Sequence, residues 1–377
     1  MVTLGLGVSA YIGAFLLGWT ELAVVAAGCV AGLALAAPFA VGRLRLDIDR
    51  TVAPDRVTVG DTAVARLDIR NPRSRWLQPR LLTEQVDGEA KPLNLPAIAR
   101  GATWTPKELE LPTGRRRLVR IGPAVVARRD PLHLVQREAA QTDVDLLWVH
   151  PRHRLIPPLP VGFAKDLEGP TSDTSPAGDV AFHTLREYQE GDNFRHIHWM
   201  SSAKVGTPMV RHYVDNRRPV PAVILDTAAD ALAPDLFEVA VEVAASIGAS
   251  ALIHQLPVSV WCGDGVLLGR SRAGSRGDLL DRLTELEQTP GGSGLQATAL
   301  NAIRSERGTS ATVLITGSGD LGNLIRTVAA LRRHGAVIVV RVHEAGFRRT
   351  SAIPGARVLD VDRLDRFAAA WTQLVLR

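Results

Sequence analysis

Apolar residues fill the first forty positions of the chain almost without interruption, and from Leu4 to Val41 the one acidic or basic residue is Glu21. This stretch is about twice as long as the ~20 residues that one membrane-spanning helix needs. Its polar break, from Gly18 to Glu21, lies near the middle. The pattern therefore predicts a transmembrane hairpin of two helices over residues 1–42.

A secretory signal peptide is the alternative for this stretch, since residues 34–36 (Ala-Leu-Ala) resemble a small-residue cleavage site. A signal peptide carries basic residues before an apolar core of ~7–15 residues. Here no Lys or Arg precedes Arg43 and the apolar run is far longer, which favours the hairpin. Arg43, Arg45 and Arg50 follow, and basic residues beside a span favour the cytoplasmic side. We therefore expect a two-pass protein of the cytoplasmic (inner) membrane whose soluble domains are cytoplasmic.

Short runs in which apolar and polar residues alternate follow the hairpin, which is the pattern of strands with one buried face. Candidate strands lie at residues 44–49, 64–70, 116–121, 124–127 and 146–149. Turn residues such as Gly122-Pro123 and Asp130-Pro131 punctuate them. The segment predicts a β-sandwich over residues 43–160. Residues 157–176 are rich in Pro, Gly, Ser and Thr, which predicts a linker or an exposed loop.

The last part of the chain alternates short apolar runs with segments of helical spacing. The predicted strands are residues 220–225, 258–262, 311–315 and 336–342, and the predicted helices are residues 236–253, 279–286, 297–303, 321–333 and 364–376. Apolar strands that alternate with amphipathic helices are typical of a doubly wound parallel sheet. This α/β domain is assigned to residues 219–377, which leaves residues 161–218 as a linker and a charged segment.

Composition narrows the function classes. The net charge of +5 comes almost entirely from arginines, which are interleaved with acidic residues, and no nucleic-acid-binding motif is present, so no nucleic-acid partner is predicted. Cys29 and Cys262 lie in unrelated contexts, which fits a reducing compartment. Because no G-x-S-x-G, Walker A, H-E-x-x-H or C-x-x-C motif occurs, we predict no enzyme.

Residues 182–199 hold the densest mixture of charged and aromatic side chains in the chain. Arg186, Glu187, Asp192 and Arg195 favour a structural ion-pair network, because such clusters more often organise structure than perform chemistry. A basic surface for an acidic partner is an alternative.

Two catalytic or metal-binding alternatives concern the same segment. His196 and His198 lie two residues apart and could begin a metal site with His183 or Asp192, although a bare H-x-H pair is a weak pattern. Glu187 or Asp192 could act as a general acid or base, but nothing in the sequence identifies a pocket.

The pattern in this segment resembles the bacterial family known as domain of unknown function 58. The residues that carry the resemblance are Leu185, Arg186, Glu187, Tyr188, Gly191, Asp192, Arg195, Ile197, Trp199, Ser202, Ala203, Lys204 and Arg211. We call residues 185–211 the signature segment, and the resemblance assigns its Arg, Glu, Tyr, Gly, Asp, Trp and Lys residues an interaction or structural role. Upstream, Gly122-Pro123 and Asp130-Pro131 echo the family's sandwich domain. Two departures are His198, where the family commonly has Asp, and Lys204, where Arg is usual.

The resemblance implies that the α/β domain is von Willebrand factor A-like, with a metal site of the form Asp-x-Ser-x-Ser at the strand ends. The corresponding positions, residues 226–230, read Asp-Thr-Ala-Ala-Asp. Two hydroxyl ligands are missing, so Asp226 is a degenerate metal-site position and no metal is predicted. A divalent-cation-dependent adhesion module remains an alternative.

A glycine-rich stretch offers a further alternative, because Gly317, Gly319 and Gly322 follow a predicted strand and open a predicted helix, with Glu344 downstream. This spacing matches the dinucleotide fingerprint. However, the chain after Glu344 is too short for the second half of a nucleotide-binding fold, so no cofactor is predicted. A nucleotide-binding enzyme that uses the Gly317 loop is the alternative function.

Together the patterns predict an α/β plus β protein with two transmembrane helices, a β-sandwich and a doubly wound von Willebrand factor A-like domain. We expect a non-enzymatic scaffold or adaptor with the lipid bilayer as one partner. The resemblance implies a second partner, a MoxR-type AAA+ ATPase, and a role in protein complex assembly or maturation.

Overall fold

The computed structural model of the chain describes residues 2–40, 46–72, 80–129, 136–159, 181–189, 194, 197–214, 221–263, 265–269, 275–290, 294–305, 309, 311–317, 319, 321–346 and 352–376. The chain folds as two compact units, Met1–His150 and Pro151–Arg377.

Two apolar helices, α1 (Val2–Leu17) and α2 (Thr20–Ala40), form an antiparallel hairpin at the start of the chain. Gly18 ends α1 with a positive φ of 66°, and its N–H donates to the carbonyl of Ala14 at 3.0 Å. The helices approach closely at Gly7, where an added Cβ would lie 3.0 Å from the Cβ of Cys29. The two predicted helices are present, but the break between them spans only Gly18 and Trp19, and Glu21 lies in the first turn of α2.

Most large apolar side chains of this hairpin point outward: Phe15 is 82% exposed and Val24 is 71% exposed. Within the described residues, two helices are long and apolar enough to cross a membrane, Thr20–Ala37 in the hairpin and Pro234–Ile253 in the C-terminal unit. In the second helix 72% of the residues are buried, so it is a core helix of that unit, whereas in the hairpin segment 11% of the residues are buried. The hairpin thus carries an outward apolar surface of membrane-spanning length.

Two β-sheets make up the remainder of the N-terminal unit. Their strands are β1 (Asp47–Ala53), β2 (Arg56–Thr58), β3 (Val64–Arg70), β4 (Arg80–Val86), β5 (Glu89–Leu95), β6 (Thr103–Trp104), β7 (Leu109–Glu110), β8 (Arg117–Arg129), β9 (Gln136–Ala140) and β10 (Asp145–His150). One sheet runs β1-β3-β6, with β7 also on β3, and the other runs β2-β10-β8-β4-β5, with β9 on β8.

Alternation along these strands places one set of apolar side chains inside. In β3, Leu67 and Ile69 are buried while their neighbours are less so, as the period-two pattern predicts. Leu67 and Ile69 share a core cluster with Leu82 of β4 and Val126 of β8, so both sheets contribute to one core.

The predicted turn at Gly122-Pro123 is wrong, because β8 continues through it and joins the two strands expected at residues 116–121 and 124–127. The pairing of β8 with β4 shifts register between Glu84 and Val86, opposite this point. A bulge interrupts the hydrogen-bond ladder and therefore tolerates a proline, which has no N–H to donate.

Arg50 of β1 links the two sheets of this unit, and 2% of its side chain is exposed. It pairs with Glu84 at 2.5 Å and Asp145 at 2.7 Å, and it donates to the carbonyl of Asp143 at 2.5 Å. Arg50 therefore serves the fold and does not belong to the basic flank predicted after the hairpin. Arg43 and Arg45 of that flank lie outside the described residues.

The C-terminal unit contains a small two-stranded sheet and a larger α/β layer. The small sheet pairs β11 (Ala181–Glu187) with β12 (Met209–Val214), and α3 (Trp199–Val205) lies between them in the chain. The larger layer contains β13 (Pro221–Leu225), α4 (Pro234–Ile253), β14 (Ser259–Cys262), β15 (Gly265–Leu268), α5 (Arg276–Glu285), α6 (Leu295–Ser305), β16 (Ala311–Thr316), α7 (Leu321–Leu331), β17 (Ala336–Val342), β18 (Arg357–Val361) and α8 (Leu364–Leu376).

The larger sheet has the order β15-β14-β13-β16-β17-β18, and only β15 runs antiparallel to its neighbour among the described strands. Val223 and Leu225 of β13 pack with α4, α5 and α8, whereas Ala222 and Ile224 pack with α6 and α7. Helices therefore cover both faces of the sheet. The predicted alternation of strands and helices is confirmed, although the edge strands β15 and β18 were not predicted.

Residues Pro151–Leu159, which we call the strap, run along α4 and belong to the C-terminal unit. Their contacts are Arg152 with Glu242 at 2.7 Å, the N–H of Arg154 to Ser246 Oγ at 3.1 Å, and the N–H of Ile156 to Ser250 Oγ at 3.0 Å. Two residues of extended chain advance ~6.6 Å and four residues of helix ~6.0 Å, so the two periods nearly match. The unit boundary consequently falls before the predicted one at residue 160.

Candidate functional site at the sheet rim and in the signature segment

The carboxyl ends of β13 and β16 meet at one edge of the larger sheet, which we call the rim. The chain leaves β13 towards β14 and later returns on the other side of β13 as β16, so the crevice between them is a topological switch point. Asp226 and Thr227 follow β13, Thr316 ends β16, and all three are buried. Sequence patterns pointed to Asp226 and Thr227 but missed Thr316, a polar residue that closes an apolar run.

Asp226 is held by the protein on both of its carboxylate oxygens. The Thr316 hydroxyl donates to Oδ2 at 2.7 Å, and the N–H of Ala228 donates to Oδ1 at 3.2 Å. Burial raises the pKa of the Asp226 carboxyl above its usual value, against the opposing effect of these two donors. The neighbouring hydroxyl of Thr227 accepts from the N–H of Gly263 at 3.3 Å. The rim is therefore closed by its own hydrogen bonds.

The residues at positions 226–230 do not fit a divalent-cation site. Hard cations take several oxygen ligands, and Ala228 and Ala229 offer no side-chain oxygen. Asp230 is exposed, and the oxygens of Asp226 already face an N–H and a hydroxyl donor. In the part of the chain that the structure describes, no group of three or more His, Cys, Asp or Glu residues could hold a metal ion.

The glycine-rich stretch lies where the sequence predicts, between β16 and α7. Gly317 is buried, and a Cβ added to it would overlap with the carbonyl oxygen of Ala231 and lie 3.2 Å from Leu232. By contrast, no described residue lies within 4 Å of a Cβ added to Gly319. The first glycine therefore lets the β16–α7 loop pack against the loop that follows β13.

In the signature segment, α3 is fixed to the sheet by His198. Its Nδ1 accepts from the N–H of Ser201 at 3.3 Å, and its N–H donates to the carbonyl of Met209 at 2.8 Å. His198 is thus the N-cap of α3, a position at which Asp is strongly preferred. This role explains why an Asp-to-His departure from the family pattern is compatible with the same local structure.

Ser202 completes the attachment of α3. Its hydroxyl donates to the carbonyl of His198 at 3.0 Å and accepts from the N–H of Met209 at 2.8 Å. Lys204 lies in the last turn, where either Lys or Arg favours the negative end of the helix dipole. The serines of this helix were not among the residues predicted to matter individually.

The remaining signature residues are distributed as follows. Arg186 donates to the carbonyl of Glu187 at 3.1 Å, and the rings of Tyr188 and Phe194 stack with centroids 5.4 Å apart. The backbone of Arg211 pairs with Leu185 across β11 and β12. Gly191, Asp192, Arg195 and His196 lie outside the described residues, as do the side chains of His183 and Arg211. His198 is the N-cap of α3, and its Nδ1 accepts from the N–H of Ser201.

Comparison with known proteins gives one family. The family profile described as "Protein of unknown function DUF58" matches residues 184–361. No curated protein matches the chain. Among solved structures, the chain is similar to the CARDB domain of a Pyrococcus furiosus protein crystallised in complex with di-metal ions. The two are 13% identical with a TM-score of 0.22, over 28% of this chain and 91% of that one.

Replacing Asp226 by Asn should stabilise the C-terminal unit at neutral pH. Burial raises the pKa of Asp226 in the folded state above 3.8, the ordinary value for an aspartate. The protonated carboxyl therefore contributes stability that is fully present below pH 3.8, and this stability is lost as the pH rises through the folded-state pKa. The melting temperature of Asp226→Asn should exceed that of the wild type at pH 7, and the gap should close in acid.

Asp230→Asn, at an exposed position, is the matched control and should shift little. A less stable Asp226→Asn at pH 7, together with a Mg²⁺-dependent rise in wild-type melting temperature that Asp226→Ala abolishes, would instead indicate a cation site.

Gly317→Ala and Gly319→Ala form a matched pair in one loop. The methyl group at 317 would overlap with the Ala231 carbonyl, so we expect a loss of about 1–3 kcal/mol of stability, whereas Gly319→Ala should stay within about 0.5 kcal/mol. Chemical denaturation of the purified chain measures both values. Equal effects contradict the packing role, and saturable NAD or NADP binding that Gly319→Val abolishes would favour the nucleotide-binding alternative.

Proposed function

Because residues 184–361 make this chain a member of the DUF58 family, we propose that it is a membrane-anchored, non-enzymatic scaffold or adaptor that acts with a MoxR-type AAA+ ATPase in protein complex assembly or maturation. The observation that carries the proposal is the combination of an outward-facing apolar hairpin with a C-terminal unit whose rim is closed by its own hydrogen bonds.

The hairpin supports the anchor. At about 1.5 Å per residue, α2 is ~32 Å long, which matches the ~30 Å of a bilayer core, whereas α1 is shorter at ~24 Å. Exposed side chains such as Phe15, Leu16 and Val24 are unfavourable in water and favourable in lipid. A two-pass hairpin returns the chain to the side from which it started. Arg43 and Arg45, directly after α2, favour the cytoplasmic side of the inner membrane for the soluble units.

The two soluble units support a spacer and a docking body. In the N-terminal unit, two sheets that share core clusters favour a β-sandwich. In the C-terminal unit, helices on both faces of a sheet with one antiparallel edge strand favour a doubly wound, von Willebrand factor A-like domain. We propose that the rim of this domain engages a protein partner.

The geometry of the rim supports docking over catalysis. An enzyme of this fold class needs polar groups that face its substrate at the strand ends. At this rim, the side chains of Asp226 and Thr227 instead accept hydrogen bonds from the protein itself. The donors are Thr316, Ala228 and Gly263. The neighbouring Ala229 and Asp230 are exposed and form an accessible border beside this closed network.

Membrane topology provides the first test. We expect an impermeant maleimide to label Glu21→Cys, in the turn region of the hairpin, on sealed spheroplasts, with Cys29 and Cys262 replaced by Ala. Leu155→Cys, at a strap position that is 66% exposed, should react only after lysis. Labelling of Leu155→Cys on sealed spheroplasts would exclude a cytoplasmic location.

Co-purification tests the partner and the surface together. The AAA+ ATPase should be recovered with the tagged chain from detergent-solubilised membranes, and Ala229→Arg/Asp230→Arg should reduce the recovered ATPase roughly tenfold, equivalent to ~1.4 kcal/mol. His254→Arg is the control, since this exposed residue ends α4 at the opposite edge of the sheet. No ATPase from wild-type membranes, with or without nucleotide, contradicts the partnership. Undiminished recovery with the rim variant contradicts docking at the rim.

A further inference from the structure

Helix α3 of the signature segment exposes three neighbouring apolar residues on one side, and Val205 at its C-terminal end is also exposed. Successive helical residues turn by about 100°, so Trp199, Ala203, Met200 and Lys204 follow one another around about 140° of the helix. All four are exposed, and Trp199 and Met200 are 70% and 81% exposed. We call these four residues the α3 arc. Trp199, Ala203 and Met200 are adjacent on the helix, and contiguous exposed apolar patches on a folded domain mark contact surfaces.

The orientation of the arc is fixed by the fold. The backbone N–H of His198 donates to the carbonyl of Met209, and the Ser202 hydroxyl accepts from the N–H of Met209, so these two bonds attach the other side of α3 to the start of β12. Ile197 and Val210 are buried beneath this attachment and form an isolated bridge. The arc is therefore held outward by specific contacts, and its exposure is a property of the folded unit.

We infer that the α3 arc rests on the headgroup region of an anionic bilayer, as a second membrane contact beside the hairpin. This inference rests on the membrane anchor of the proposed function. Tryptophan is enriched at membrane interfaces, methionine adds apolar surface, and lysine attracts lipid phosphates. Trp199, Met200 and Lys204 combine these three properties on one helix.

Charge in the surrounding sequence favours anionic lipid. Residues 181–218 contain six basic and four acidic residues, the basic ones being Arg186, Arg195, Lys204, Arg211, Arg217 and Arg218. Basic residues near an anionic surface are attracted to its lipid headgroups. The excess of positive charge thus complements phosphatidylglycerol rather than a zwitterionic lipid.

The size of the arc favours lipid over a protein partner. A stable protein interface involves about 20–30 residues on each side. Among the described residues of the signature segment, the arc has four, with Phe194 as a further exposed aromatic ring. A chain already tethered to the membrane needs far less, because the second contact forms at high effective concentration. A few interfacial side chains are therefore sufficient for a tethered chain.

Spin labels in the full-length chain test the inference. Met200→Cys, Val266→Cys and Val24→Cys, each with Cys29 and Cys262 replaced by Ala, are labelled with a nitroxide and reconstituted into phosphatidylcholine vesicles with or without phosphatidylglycerol. Collision rates with oxygen, which partitions into lipid, and with a water-soluble nickel complex are then measured. At position 200 the oxygen-to-nickel ratio should rise several-fold when phosphatidylglycerol is present.

The other positions separate the two hypotheses. Val266 is 49% exposed on β15 and should remain water-accessible, whereas Val24 on α2 should report lipid in every vesicle. If position 24 is water-accessible, the membrane anchor itself is wrong. If position 24 reports lipid but position 200 behaves like position 266, the anchor stands and the α3 inference is wrong.

Charge reversal provides the matched chemical control. Lys204→Glu should abolish the rise at position 200 in phosphatidylglycerol, and Lys107→Glu, at an exposed site in the N-terminal unit, should not. Equal effects of the two substitutions would overturn the inference. The inference would also be overturned if the label at position 200 became shielded from both reagents only when the AAA+ ATPase is added, because the arc would then bind protein.

Discussion

Burial of parallel strands on both faces is the constraint on which the C-terminal unit depends. Every residue of β13, β16 and β17 is buried, so a polar side chain within these strands must find its partner inside the protein. Arg341 does so with Asp360 at 2.8 Å on the next strand. At the strand ends the same requirement joins Asp226 to Thr316. The chemistry available to the rim is thus limited by the structural need to satisfy its own buried groups.

Sequence periodicity predicted the regular elements that this constraint shapes. The apolar runs at residues 311–315 and 336–342 became β16 and β17, and the helical spacing at residues 364–376 became α8. The edge strand β18 escaped prediction because an edge strand need not be apolar on both faces, and β15 escaped it because it has only four residues. Gly122-Pro123 misled because a bulge accommodates residues that usually mark a turn. Partners distant in sequence, such as Thr316 for Asp226 or Glu84 for Arg50, leave no local pattern from which they could be found.

The signature segment combines a structural role with an exposed surface. His198 and Ser202 position α3 through hydrogen bonds to backbone groups. Position 198 therefore needs only a side-chain acceptor, and position 202 needs only a hydroxyl group. Trp199 and Met200 contribute little to the interior of the folded unit. Residues that maintain the local fold and residues available for contact therefore alternate along the same short stretch, and a family pattern alone does not distinguish between them. The distinction comes from burial and from hydrogen-bond partners.

The strap has a mechanical consequence. It is the covalent path between the unit that carries the hairpin and the unit that carries the rim. Under the proposed function, a pull on the rim against an anchored hairpin would pass through it. Its bonds to Glu242, Ser246 and Ser250 lie in a row along one helix, so such tension would load them in shear, together rather than in succession. A linkage of this kind resists extension better than an unstructured tether and would pass traction directly to the longest helix of the α/β layer.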